Sequence, residues 1–575
     1  LVEMSVMQVR TVFGAVLLLS CSALPLPHSA VNPSNWDPNL GNYTMPVTTS
    51  VPDAQKKFDE GMLFRFGFDS DAAGASFGEC SKADNDCAMC LFGAAYAAGP
   101  FLNHPVLANQ SVSAAQQLAA KAKALAMTHS VTKKESLLIA AMAERYSLTN
   151  QTAGYVAYAE ALKEAMTTLQ GDADVSVLYA EALMVLSCSP EGYNFYDKHD
   201  RPVPNIAEAI RVLEGLILEP DTRKLKPTWV HPLALHLYIH ATEPSRAGYG
   251  KDSAGRAAGA ADRLRKVFNA TTTGSLSQHL QHMSSHVYLR VGRYNDAITV
   301  NMEAHRSDMA LLRGGVVPYG AGHDTAFLIC AANLDGQLDT AERYGVVLRS
   351  IYSAAPTRPD GPGPEQGWNI PLTTWLRFGE WSPVLSDNAT LPPAAGDLPY
   401  AATLRSFAKG VASARVGDET AAMEYLEMLE KSMARVSTRY AGMASVANLT
   451  LRAVIAATSG HDDAMSLIQR ATEEQDAWSY NEPPDWFMPL RQCLAQQQLV
   501  QGRFADADAT FRADLNQYLD NAWSLHGLVD AMRKQPTRYT PEQIAEVRDK
   551  AEAAWARATK PFVAPCPILP LSPKH

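Results

Sequence analysis

GRYNDAITVNMEAH, residues 292–305, opens on a Gly-Arg-aromatic triplet, places a small residue five positions after the glycine, and continues with apolar side chains at helical spacing. GRFADADATFRADL (502–515) repeats the plan, and GDETAAMEYLEMLE (417–430) is a looser copy. A glycine that ends a turn, followed by a small residue that admits a neighbouring helix, is what a unit of stacked helical hairpins requires. The same periodicity runs through AAQQLAAKAKALAM (114–127), ESLLIAAMAERYSL (135–148) and VSVLYAEALMVLS (175–187). Strand-like alternation is scarce, and turns rich in Gly, Asp or Asn separate pieces of roughly 12–16 residues, the pattern of consecutive antiparallel helices.

The 292–305 unit resembles the second helix of tetratricopeptide repeats. The fold expected is therefore all-α, a tetratricopeptide-like α-solenoid of antiparallel helical hairpins. At 575 residues the chain far exceeds one ordinary domain of roughly 100–200. APTRPDGPGPEQGWNIP (355–371) and SPVLSDNATLPPAAGD (382–397) are too rich in Pro and Gly to read as helix. The expected organisation is an extended segment over 31–52, a helical block over 53–354, a non-helical joint over 355–400, a second helical block over 401–558 and an extended Pro-rich tail over 559–575.

The N-terminus reads as a secretory signal: Arg10, an apolar run from Val12 to Leu19, then small residues up to Ala30, with cleavage expected near that position. That places the mature chain outside the cytoplasm, secreted or periplasmic. No later stretch reads as a membrane span, and a net charge of −10 offers no basic surface to track nucleic acid. Cys80, Cys87 and Cys90 lie close enough for one local disulfide, or stand as buried thiols. Leu91 after the CxxC speaks against haem attachment, and no second CxxC completes a zinc knuckle. Asn42, Asn109, Asn150, Asn269, Asn388 and Asn448 each begin an N-x-S/T sequon, expected at the surface if glycosylated.

Eight of the fifteen histidines fall within residues 231–323. At about 100° per residue, His236, His240 and Glu243 in HPLALHLYIHATE (231–243) share one helical face, with His231 at the helix start ahead of Pro232. His279, His282 and His286 in QHLQHMSSHVYLR (278–290) share another face, and His323 opens a third helix beside Asp324. Burying so many imidazoles without an ion leaves donors and acceptors to be satisfied, whereas stripes on facing helices can converge on one metal or a pair. The expected ligand set is His231, His236, His240, Glu243, His279, His282, His286 and His323, holding one or two transition-metal ions. Imidazole with carboxylate suits Cu, Fe or Zn. Tyr238, Tyr288, Tyr294 and Tyr319 are candidates to hydrogen-bond the ligands or touch a substrate, with core packing as the alternative.

Seven segments, 58–80, 87–103, 231–243, 279–301, 319–328, 479–494 and 511–528, together resemble a family of exported, mostly bacterial tetratricopeptide-repeat proteins carrying HPxxxHxxxH and HxxHMxxH motifs. The resemblance spans about residues 53–535 and implies the fold and a metal site without supplying a reaction. It adds Glu482, Trp486 and Arg491 as residues a closed superhelix would carry over the histidines, against a structural turn in which Arg491 pairs with Glu482. This chain has Phe92-Gly93 for the family's Trp-Gly, Phe101-Leu102-Asn103 for Asn-Ile-Asn, and Ala326 where a second histidine would follow His323. The last change implies weaker metal binding or a more open site. Two functions follow: a secreted metal-dependent enzyme, oxidation favoured over hydrolysis because histidine outnumbers carboxylate, acting on a small molecule or peptide at the concave face; or a peptide- or protein-binding scaffold whose histidines hold a structural metal or none.

Overall fold

A computed structural model describes residues 38–147, 150–189, 192–227, 230–245, 253–354, 363–391 and 395–571. Among them the chain forms twenty-six α-helices, and apart from isolated bridges its one two-stranded sheet joins Cys188–Ser189 to Gly192–Tyr193. Residues 1–30, read above as a secretory signal, lie outside the described residues, as do 31–37 of the expected extended segment.

The repeat unit shows why these sequences turn where they do. Gly292, Gly417 and Gly502 all adopt positive φ (75°, 88° and 75°), a conformation that costs glycine little. Each is followed within two residues by a helix: Tyr294–Arg313, Glu419–Met433 and Phe504–Gln517. Five positions after each glycine stands an alanine, Ala297, Ala422 or Ala507, and all three are fully buried. At Gly292 a side chain would also collide with the backbone, since a Cβ would lie 2.7 Å from the Leu519 carbonyl oxygen. The preceding helices, Ser284–Arg290, Pro399–Val416 and Leu490–Val500, complete the hairpins. The all-α, tetratricopeptide-like hairpin fold is the one the sequence indicates.

One apolar core runs from Leu40 to Ile370 and takes in Phe487 and Tyr518; a second runs from Leu372 to Leu569. The segment between the blocks differs from expectation. Three short helices, Gly363–Gly367, Ile370–Phe378 and Trp381–Ser386, occupy it, because Pro364, Pro371 and Pro383 all sit in first turns, where proline is tolerated. The tail is extended but not free. Ala564, Cys566, Ile568 and Leu569 are buried, the Gln496 amide donates to the carbonyls of Cys566 and Leu569 at 2.9 Å each, and Cys493–Cys566 is a disulfide.

Nearer the N-terminus, Cys80 and Cys90 form the local disulfide, leaving Cys87 as a buried thiol. Of the sequon asparagines, Asn42, Asn109, Asn150 and Asn388 are exposed, whereas Asn269 and Asn448 are half-buried and commit their amide nitrogens to Glu303 and Glu430. One helix, Thr438–Ser459, is long and apolar enough to cross a bilayer on length and composition, but half of its apolar window is buried within the fold.

Candidate metal centre

Three elements deliver the histidines. Helix Pro232–Thr242 carries His236 and His240, the helical pair Gln278–His282 and Ser284–Arg290 carries His279, His282 and His286, and helix Ala321–Leu334 carries His323. All six are buried. They form two trios whose ligand atoms lie within 4.8 Å of one another: His236, His240 and His279, and His282, His286 and His323. The trios are not the two sequence stripes. His279 joins His236 and His240 while staying within reach of His282 and Asp324, and His323 completes the other set.

The hydrogen bonds fix which nitrogen faces inward. His236 donates from Nδ1 to the Phe66 carbonyl (2.6 Å), His240 to Glu243 Oε1 (2.6 Å), His286 to Glu243 Oε2 (2.7 Å) and His282 to Asn301 Oδ1 (2.5 Å). A neutral imidazole that donates from Nδ1 presents a lone pair at Nε2. In the second trio these atoms face each other, His286 Nε2 at 2.7 Å and His323 Nε2 at 2.9 Å from His282 Nε2. In the first, His236 Nε2, His240 Nε2 and both ring nitrogens of His279 are buried without a hydrogen-bond partner. Each unpartnered group of this kind costs about 1–3 kcal/mol. Converging imidazole nitrogens whose opposite nitrogens bind a carboxylate, amide or backbone carbonyl are the arrangement of metal-ligating histidine.

Protonation follows the surroundings. Burial pushes His240 and His323 down to about 3 and drives His236, His279 and His282 well below the ordinary histidine value, with neighbouring imidazoles adding to the effect. Burial opposes charge at His286 too, but Glu243 and Glu482 outweigh it and hold His286 up at about 10. Five rings are thus in the neutral, ligating form. The sixth carries a proton where the second trio meets.

Glu243 departs from its expected role. Rather than facing the Nε2 atoms, its carboxylate receives one histidine from each trio and the Tyr480 hydroxyl (2.8 Å). Glu482 does come over the site, its Oε2 2.8 Å from His286 Nδ1, and Asp324 lies 3.3 Å from His282 Nδ1. Glu243 and Glu482 with the Nδ1 atoms of His240 and His286 also satisfy metal-ligand spacing, but the short N–H···O contacts there read as hydrogen bonds.

Five other candidate residues stand away from the two trios, His231 against the expectation for it and Tyr238 and Tyr288 as the core-packing alternative has it. His231 caps its helix, accepting from the Ala234 N–H (3.4 Å), and reaches Asp174 at 3.1 Å, away from both trios. Tyr238 and Tyr288 donate outward to Glu214 (2.8 Å) and Asp262 (2.7 Å). Trp486 packs on Phe407 in the second core. Arg491 pairs with Asp476 (2.9 Å), not with Glu482. Tyr319 does stand beside the site, its ring 5.3 Å from His279, while the Tyr294 hydroxyl is used on the Leu519 carbonyl (2.6 Å).

Sequence reasoning missed Tyr480, two residues before Glu482, and Asn301, nine residues after Gly292. It also missed Phe68, whose ring lies 4.4 Å from His236 and stacks at 5.7 Å on His240. Phe68 holds a φ of 62°, which is rare for a bulky residue and turns the ring over the first trio. The Tyr193 hydroxyl donates to Asn103 and lies 3.3 Å from Glu482 Oε1.

No family model matches this chain, and no curated protein matches it. Among solved structures it is similar to yeast Tom70 (10% identity, 86% of this chain and 92% of that one, TM-score 0.26) and to the APC/C hetero-tetramer Cut9–Hcn1 (13% identity, 89% and 97%, TM-score 0.26). A circular tandem repeat protein also aligns, at 12% identity and a TM-score of 0.12 over 88% of this chain and 96% of that one.

Proposed function

We propose that this chain is a helical-repeat scaffold built around a closed histidine centre that holds one or two transition-metal ions, Cu, Fe or Zn. The observation that carries the proposal is the convergence of imidazole nitrogens in two buried trios, four of whose six rings commit Nδ1 to fixed acceptors. Such a centre takes ligands from three helical elements of the first block, and Tyr480 and Glu482 reach it from the far end of the chain. A metal there locks the superhelix, leaving its outer surfaces to grip a peptide or protein. The export expected from residues 1–30 belongs to the same proposal.

A second reading, metal-dependent oxidation of a small molecule or peptide, is favoured by the closeness of the trios: the His240 and His286 ring centroids stand 5.3 Å apart across them. Two ions held by three histidines each would be near enough to share dioxygen. The test is metal loading of the purified chain followed by oxygen-electrode assays with phenolic and peptide substrates. The scaffold reading expects bound metal, higher thermal stability and no oxygen uptake. Uptake that disappears with His240→Ala would establish the enzyme instead, and absence of bound metal overturns both.

A further inference from the structure

The three cysteines near the N-terminus lie outside the histidine centre, and none of its hydrogen bonds uses them. Cys80 sits in the last turn of helix Ser70–Ala83, Cys87 caps helix Ala88–Ala97, and Cys90 is the third residue of that helix. All three sulfurs are buried and lie within 4.8 Å of one another. The Cys80–Cys90 bond uses two of them. Cys87 remains a thiol beside both, at the N-terminus of helix Ala88–Ala97. N–H donors at a helix N-terminus favour thiolate over thiol, although burial opposes this and pushes the Cys87 thiol up. The sequence lacks a second CxxC, but the fold supplies the missing third ligand from the preceding helix.

We propose that the Cys80–Cys90 disulfide masks a second metal site, a three-thiolate centre of Cys80, Cys87 and Cys90 for a soft ion such as Zn(II) or Cu(I), opened by reduction. The chemistry balances in two steps. A dithiol or phosphine reductant supplies two electrons, and with two protons the S–S bond becomes two thiols. Metal binding then displaces the three thiol protons to solvent and forms three metal–sulfur bonds. Thiolates select soft or borderline ions, and Zn–S bonds of about 2.3 Å suit sulfurs already this close. Asp84 and Glu135, the charged groups acting on Cys87, disfavour isolated thiolates and favour a bound cation. An oxidising compartment keeps the site closed. Reduction exchanges a covalent tie between two helices for a metal one.

The experiment is a cobalt(II) titration of the full chain under anaerobic conditions, with and without a phosphine reductant. A sulfur-to-cobalt charge-transfer band cannot arise from imidazole, so the histidine centre does not interfere. The expected result is a band in the reduced protein alone, saturating at one equivalent, lost in Cys87→Ser and retained in Cys493→Ser/Cys566→Ser. No band in the reduced protein, an equal band in Cys87→Ser, or loss of helical circular dichroism on reduction would each overturn the proposal.

Discussion

Glu243→Gln tests how the centre is organised. The Glu243 carboxylate receives His240 Nδ1 at 2.6 Å, His286 Nδ1 at 2.7 Å and the Tyr480 hydroxyl at 2.8 Å, with no exposure to solvent. A glutamine of the same shape offers one oxygen in place of two and turns an NH2 group toward at least one donor. Losing a carboxylate that orients a ligating histidine typically weakens metal binding by about 10–100-fold, or about 1.4–2.8 kcal/mol. Because His240 belongs to one trio and His286 to the other, both affinities should fall. The metal-free protein should also lose about 1–3 kcal/mol, since a buried donor is left unpaired. Chelator-competition titration with zinc measures the affinities, with circular dichroism as the folding control. Affinities unchanged within twofold in a folded variant would refute the role given to Glu243.

Gly154→Ala would place a Cβ 2.3 Å from the Arg145 carbonyl oxygen, so thermal denaturation should show a loss of about 1–3 kcal/mol or more; an unchanged midpoint would count against this hairpin geometry. At Asp174, burial opposes the charge, but His231 and Lys134 outweigh it and hold the carboxyl well below the usual range. That stability is present above about pH 4 and fades as pH falls toward the lowered value. Asp174→Asn should therefore cost about 1.5–3 kcal/mol at pH 7, and urea unfolding should show its gap from the parent narrowing below about pH 4; a gap constant down to pH 2.5 would contradict the assignment. The Cys493–Cys566 disulfide closes a separation of 73 residues, worth about 4 kcal/mol by loop entropy. Cys566→Ser should lower the melting midpoint and expose the tail to limited proteolysis, and equal resistance of tail and parent would rule that out.

The hairpins were legible because the code is local: a left-handed glycine and a buried alanine five residues later fall at the same register in three places. The histidine cluster was legible for the same reason, since spacings of three and four place side chains on one face. How the histidines pair was not, because each trio draws on elements far apart in sequence, so spacing within one helix says nothing about the ring opposite. His231 misled because an imidazole ahead of a proline can cap a helix as readily as bind metal. Glu243 shares a face with His240, yet its short reach to the Nδ1 side makes it an acceptor for ring N–H groups. Tyr238 follows its core-packing alternative, and Trp486 packs on Phe407, a neighbour distant in sequence that no local pattern reveals. The burial of a Pro-rich tail depends on Gln496 and Cys493, some seventy residues away, which no local pattern encodes.

The central claim is most directly tested by elemental analysis of the purified chain, as isolated and after separate loading with copper, iron and zinc, alongside His240→Ala/His282→Ala, which removes one ligand from each trio. The account predicts one to two equivalents of a single transition metal in the parent, lost in a variant whose helical circular dichroism is intact. A folded parent that takes up no metal under any loading condition, or a folded variant that retains all of it, would contradict it.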